Sequence, residues 1–270
     1  MAEAGDRIRT GELTVIGRVT TASNVTLVCD VNSTGDAESD PIRVVYKPIR
    51  GEQPLWDFPH GTLAGREVAS YLISEAIGWG VIPETILREG PFGTGMVQRW
   101  ITGVDNHTEE GDRLDLIDLC PAGAVPDGFR EVLRATDQEG NEVSLIHADD
   151  PRLQRMAVLD VLLNNADRKG GHALEGVDGQ VYGVDHGICL HTEPKLRTVL
   201  WGWVGQPICD GLIADITAFA ADLPGALADL LSEHITDAEI DALSARTHRL
   251  LTEPVMPPPR TARPIPWPAF

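Results

Sequence analysis

Lysine is nearly absent from this sequence. Its 270 residues contain only Lys47, Lys169 and Lys195, and arginine supplies the remaining basic side chains. A compact ammonium and a planar guanidinium are not interchangeable, so the positions that keep lysine are worth inspecting. Basic charge of either kind is scarce: 22 Lys and Arg stand against 41 Asp and Glu, a net charge of -19. That balance argues against wrapping nucleic acid and against docking on an anionic membrane. It leaves a nucleotide ligand open, because a bound divalent cation and a few local basic groups override the global field. The cysteines Cys29, Cys120, Cys189 and Cys209 are widely spaced and form no CxxC pair. A zinc cluster is therefore not expected, and the thiols read as buried groups in a reducing compartment. No run approaches the roughly 18 apolar residues of a membrane span. The opening MAEAGDRIRTGEL has no apolar signal region, so a cytoplasmic location is expected.

What is present is an ordinary globular composition, 42% hydrophobic, in a chain long enough for one large domain or two lobes. The segments LTVIG and VTLVCDV flank the turn TTASN, and IRVVYKP follows, predicting an antiparallel meander with Lys47 near a strand end. Thr62 to Gly78 repeats apolar residues at helical spacing, with Thr62 as N-cap and Gly78 as the stop. VIPETILRE and GTGMVQRWI read as two further strands, and Gly103 is a natural hinge. The stretch from Asp105 to Asp150 is polar and acidic, with a short apolar piece LDLIDLC and a helix expected at Gly128 to Ala135. Pro151 to Asn164 is a strong helix capped by Asp149 or Asp150. Gln180 to Val184 is a short strand, and helices are expected over Gly211 to Leu231 and, from an Asp237 cap, Ala238 to Leu251. The proline-rich tail from Pro254 is expected to be extended. The order gives an α+β fold with two lobes: an antiparallel N-terminal sheet with one helix over 1–103, a mostly helical lobe over 104–253, and a tail over 254–270. A ligand is expected between the lobes.

The chemistry concentrates between Leu159 and Leu190, LDVLLNNADRKGGHALEGVDGQVYGVDHGICL. Phosphoryl transfer needs a base to orient a hydroxyl and ligands for the metal ions on the phosphates. Asp167, His172 and Asp185 are spaced to supply them. A carboxylate ending the apolar strand VYGV is costly unless it binds a cation or is hydrogen-bonded. Lys47 on a strand and Glu67 on the next helix match the device by which kinases hold a phosphate-binding lysine. The competing readings are a solvated lysine, a surface glutamate and a polar turn after a helix.

The segment NNADRKGGH…VYGVDHGICLH resembles the catalytic and metal-binding loops of the phosphatidylinositol 3-/4-kinase-like group, especially the type II phosphatidylinositol 4-kinases, and of the HipA-type serine/threonine kinases. VVYKP, GREVASYLISEAIG, VIPET and MVQRWI match the upstream pieces in order. The chain looks like an actinobacterial branch of this group. The resemblance implies a protein-kinase-like fold and ATP with Mg²⁺ or Mn²⁺ as cofactors. It implies that Asp167 orients the acceptor hydroxyl, that Asp185 holds the principal metal, and that Lys47 with Glu67 contacts the phosphates. It further implies that Gln98, Arg99 and Trp100 face the adenine, and that the turn of Thr21, Ser23 and Asn24 covers the phosphates.

Two positions depart from the pattern. The metal-binding Asn is His172 here, and imidazole suits Mn²⁺, Zn²⁺ or Fe²⁺ better than Mg²⁺. The phosphate loop lacks G-x-G-x-x-G. Lys169, two residues past Asp167, stands where serine/threonine kinases keep a lysine that steadies the transferred phosphate. The function implied is transfer of the ATP γ-phosphate to a hydroxyl of a protein or small molecule. The absence of an anchor or a basic amphipathic helix disfavours a phosphoinositide lipid acceptor. A nucleotide-binding pseudokinase regulator is the alternative. A metal-hydrolase reading of His172, His186 and His191 lacks an HExxH motif. Trp201 and Trp203 read as packing residues.

Overall fold

The computed structural model describes residues 7–20, 22–32, 40–108, 111–137 and 139–270. Five strands open the fold: β1 (Glu12–Arg18), β2 (Leu27–Asn32), β3 (Ile42–Pro48), β4 (Thr85–Gly90) and β5 (Gly93–Arg99). They form one antiparallel sheet in the order β1-β2-β3-β5-β4. Alternation decides which face each residue takes. Leu27, Cys29 and Val31 of β2 and Val44 and Tyr46 of β3 are buried, and with Ile8, Ile86 and Val97 they make a small core. Tyr46 enters that core, so its neighbour Lys47 faces the other way.

Helix α1 (Leu63–Ile77) lies between β3 and β4 in the chain. Thr62 takes the N-cap position, but its hydroxyl donates to Pro59 O. The Glu52 carboxylate instead accepts from the amides of Leu63 and Ala64, satisfying two of the orphan donors of the first turn. Gly78, at φ 79°, ends the helix in the left-handed region, where glycine costs least. Ala69, Ile73 and Ile77 point away from the sheet core and join a larger one.

After β5 come the hairpin β6 (His107–Thr108) and β7 (Gly111–Asp112), then β8 (Ile117–Pro121), β9 (Phe129–Thr136) and β10 (Glu142–Ala148), paired in the order β8-β10-β9. The helix expected at Gly128 to Ala135 is therefore strand β9. Phe129, Val132 and Leu133 repeat at helical spacing, but β10 offers an edge along its whole length, and pairing with it outweighs the local pattern.

Helix α2 (Pro151–Leu163) begins at Asp150, whose side chain accepts from the Arg152 amide at 2.7 Å, and ends at Asn164 in the left-handed conformation. Its residues Leu153, Met156, Leu159 and Leu162 are fully buried in the larger core. The short hairpin β11 (Ala173–Glu175) and β12 (Val181–Gly183) follows, then α3 (Asp210–Asp222), α4 (Ala228–Ser232) and α5 (Asp237–Thr252). The cap of α5 is Thr236, not Asp237: Thr236 and Glu239 form a reciprocal capping box.

The helix expected over Gly211 to Leu231 is broken at Gly225, which leaves helical geometry directly after Pro224. Contrary to the sequence expectation, 210–232 is long and apolar enough by composition to cross a membrane. Leu212, Ile216, Phe219, Leu223 and Leu231 of this stretch are nevertheless in the protein core. The class is α+β: an antiparallel sheet with one helix, then a mostly helical part that carries a small sheet of its own.

Candidate active site

A cleft of about 670 Å³ runs between the first sheet with α1 and the loops that follow α2. Lys47 crosses it. Its ammonium donates to Glu67 Oε1 at 2.8 Å and to Asp185 Oδ1 at 2.7 Å. Three distant segments thus meet at one nitrogen: the end of β3, the inner face of α1 and the turn after β12. Burial pushes the Lys47 pKa down, but the Asp185 and Glu67 carboxylates outweigh it and hold the ammonium charged. Burial raises the Glu67 pKa, opposed by Lys47. The Lys47 charge holds Asp185 well below the usual carboxylate range.

Asp185 sits at φ 61°, a left-handed conformation that is uncommon outside glycine. It lies two residues past the end of β12, and its carboxylate side chain is 47% exposed on the cleft.

Asp167 enters from the loop after α2. Asn164 ends that helix, and its amide group donates to His191 O and Glu193 O. Asn165 Oδ1 accepts from the Asp167 amide, which fixes the approach of the carboxylate. Burial pushes the Asp167 pKa up to about 6, with Lys169 opposing and Asp185 adding to the rise. A carboxylate with raised proton affinity is a better proton acceptor than a surface aspartate. Lys169 Nζ lies 3.7 Å from Asp167 Oδ2.

His172 completes the group. Its Nδ1 donates to Asp167 O at 3.0 Å, and its Nε2 faces Asp185 Oδ2 at 3.4 Å. Burial lowers its pKa to about 4, so the ring is neutral at pH 7 and Nε2 carries a lone pair. That lone pair and the carboxylate oxygen beside it are two donors a divalent cation accepts, although among the described residues no group of three or more His, Cys, Asp or Glu is placed to hold a metal.

The other expected residues divide. Ser23 and Asn24 line the cleft, and Asn24 Oδ1 is engaged by the Gln53 amide. Thr21 lies outside the described residues. Trp100 lines the cleft with 40% of its surface exposed. Arg99 also lines it, but its guanidinium pairs with Glu84. Gln98 is buried, and its amide donates to Thr85 Oγ1, so that side chain already has its partner.

Sequence reasoning missed what holds the two loops together. Arg168, Asp160 and His186 are fully buried. The Arg168 guanidinium bonds both oxygens of Asp160, donates to His186 Nε2 at 2.6 Å, and donates to the backbone carbonyls of His172 and Val184. One side chain therefore ties the Asp167 loop to the Asp185 turn. The available signal was Asp160, a carboxylate on the apolar face of α2, which requires a buried partner. Trp201 and Trp203 are core residues, as expected, with indole nitrogens bonded to Pro264 O and Asp149. His191 stays outside the cluster, bonded to Asp57 O.

No protein-family model matches the sequence. A curated relative, Protein Rv2133c of Mycobacterium tuberculosis (strain ATCC 25618 / H37Rv), is 56% identical over 264 residues, covering 96% of this chain and 93% of the relative. Among solved structures, the Helicobacter pylori proinflammatory kinase CtkA is similar at 12% identity and a TM-score of 0.48, covering 92% of this chain and 94% of that one. A chain of the Shewanella oneidensis MR-1 toxin–antitoxin complex of HipA, HipB and operator DNA is similar at 12% identity and a TM-score of 0.39, covering 87% and 64%. Both structural likenesses are loose.

Proposed function

The chain belongs to the family of Protein Rv2133c, and we propose that it is an ATP-dependent phosphotransferase acting on a hydroxyl of a protein or small molecule. The observation that carries this reading is the Lys47 ammonium bonded at once to Glu67 and Asp185, in the same cleft as Asp167. Glu67 alone would make a buried ion pair with Lys47, and Asp185 adds a second carboxylate whose side chain is half open to the cleft. A phosphate-binding lysine gains a partner on either side.

In this reading ATP binds between the lobe over 1–103 and the lobe over 104–253. Trp100 and the backbone at Gln98 and Arg99 lie along the base, and Ser23 and Asn24 lie over the phosphates. Lys47 meets phosphate oxygens, and Glu67 holds its stem. Asp167 accepts the proton of the acceptor hydroxyl, and Lys169 steadies the moving phosphoryl group. Asp185 and His172 would hold Mg²⁺ or Mn²⁺, which would supply neutralisation of phosphate charge. Catalysis is then positioning and electrostatics, with no covalent intermediate on the protein. Use of ATP fits a cytoplasmic protein.

The test is label transfer from γ-labelled ATP into the protein, lipid and small-molecule fractions of a cell extract. Asp167→Ala and Asp185→Ala are expected to lower transfer by about 10²-fold or more, with folding unchanged by circular dichroism. Full activity in either variant refutes the assignment. His172 in a metal position favours one second reading, a nucleotide-binding regulator without turnover. ATP binding by a wild type that transfers nothing, together with transfer by His172→Asn, would establish it.

A further inference from the structure

The segment over 254–270 is not a free tail. Ile208 N donates to Pro254 O, and Met256 exchanges hydrogen bonds with Gln206 and Gly205 and is buried in the larger core. Further along, Pro264 O accepts from the Thr198 amide at 3.0 Å and from the Trp201 indole at 2.9 Å. Ile265 and Ala269 pack on the same core. The segment then reaches the loop that carries Asp167: the Gly170 amide donates to Ala269 O at 2.8 Å.

The last contact is shaped to fit. A Cβ on Gly170 would lie 2.6 Å from two ring carbons of Phe270, so only glycine lets the ring close on the loop. At Gly171 a Cβ would meet nothing within 4 Å, because that residue faces the open cleft. Phe270 lines the cleft together with Asp167, Lys169 and Gly171, and 49% of its surface is exposed there. A half-exposed aromatic ring, held by a seventeen-residue strap beside the polar loop of Asp167 and Lys169, gives that side of the cleft an apolar wall.

We propose that Phe270 is the acceptor-side specificity residue. The strap sets its ring against Gly170 in the cleft that Asp167 lines, where it excludes water and favours an acceptor whose hydroxyl sits beside an apolar face. This rests on the phosphotransferase reading. In the step concerned, the bond from the γ-phosphorus to the bridging oxygen of ATP breaks. A bond from the acceptor oxygen to that phosphorus forms, the hydroxyl proton passes to Asp167, and ADP leaves. When water takes the acceptor place, the products are ADP and inorganic phosphate. An open wall admits water, and a closed one keeps it out.

The experiment compares the full chain with Phe270→Ala and Gly170→Ala, using ATP with Mg²⁺ or Mn²⁺ and no added acceptor. Phosphate release, affinity for a fluorescent ATP analogue and thermal midpoint are measured on each. Phe270→Ala is expected to raise phosphate release about tenfold while nucleotide affinity and midpoint hold. Gly170→Ala, which drives a methyl group into the ring, is expected to raise it as well, and the double variant no further. A wild type that binds nucleotide, with a Phe270→Ala variant that releases phosphate no faster, overturns the inference alone. So does a fall in release that tracks a fall in midpoint, which would make the strap purely structural. A wild type that does not bind the nucleotide overturns the phosphotransferase reading and this inference with it.

Discussion

Two charged clusters lie a few residues apart in this protein, and they are built on opposite terms. Asp160, Arg168 and His186 are sealed from solvent, and the guanidinium is surrounded by acceptors. Lys47, Glu67, Asp185 and His172 share a cleft, with Asp185 open to it and the His172 lone pair facing a carboxylate. In the first cluster every guanidinium N–H has an acceptor, and only His186 Nδ1 is left without a partner. The second has acceptors left over. A closed cluster fixes where loops go, whereas an open one leaves room for something to arrive.

Removing one member separates the two most sharply. Asp160→Ala or Arg168→Ala strands a buried charge and is expected to cost about 3–5 kcal/mol, read as a lowered urea midpoint. Asp160→Leu with Arg168→Met should recover only part of that loss, because the Val184 carbonyl loses its donor and the His172 carbonyl keeps only the Val184 amide.

A second closed assembly extends the comparison to protons. His147 donates from Nδ1 to Ala148 O and accepts the Gly202 amide at Nε2, with its ring 4.2 Å from that of Trp203. A side chain on Gly202 would collide with Nε2, so glycine is required there. Burial lowers the His147 pKa from 6.5 to about 4. Between those values the unfolded chain binds the proton and the folded one does not, so stability is lost as pH falls from 6.5 towards 4. The share due to His147 is roughly 3 kcal/mol. It should vanish from the difference between wild-type and His147→Gln urea curves measured at pH 7 and pH 4.

The open cluster should respond the other way. Asp185→Asn keeps a residue that tolerates the left-handed backbone and removes one of the two carboxylates that face Lys47. Because Glu67 remains and the Asp185 side chain is half exposed, its stability is expected to fall by no more than about 1 kcal/mol, while phosphate transfer is lost. A large drop in the urea midpoint would make Asp185 a structural residue. The mildest expected change is His172→Asn, which replaces a nitrogen ligand by oxygen. Activity should shift from Mn²⁺ towards Mg²⁺, and an unchanged ratio would remove His172 from the metal site.

The open cluster was the more legible of the two. Lys47, Glu67, Asp167, His172 and Asp185 carry side chains that ordinary packing does not call for, and their spacing follows a recognisable order. The closed cluster hides behind a helix pattern: Asp160 falls among leucines, and nothing local says that Arg168 turns inward to meet it. Strand β9 was misread because its apolar spacing suits a helix, and only its partner strand decides otherwise. The strap over 254–270 was read as extended, but its docking depends on carbonyls whose donors, such as Gly170 and Thr198, lie far back in the chain. Gln98 shows the limit within the site itself, since its place on β5 was expected while the turn of its amide towards Thr85 was not.

The scarcity of lysine has a practical corollary. Lys47, Lys169 and Lys195 are the only side-chain amines available to an acylating reagent, and the first two line the cleft. The third is pinned by Asp57 and lies 5.1 Å from the Trp56 ring. Because Lys47 is held as an ammonium between Glu67 and Asp185, a mass measurement after brief acylation, with and without a candidate ligand, reads cleft occupancy chiefly at Lys169. Few proteins of this size come with so sparse a set of chemical reporters.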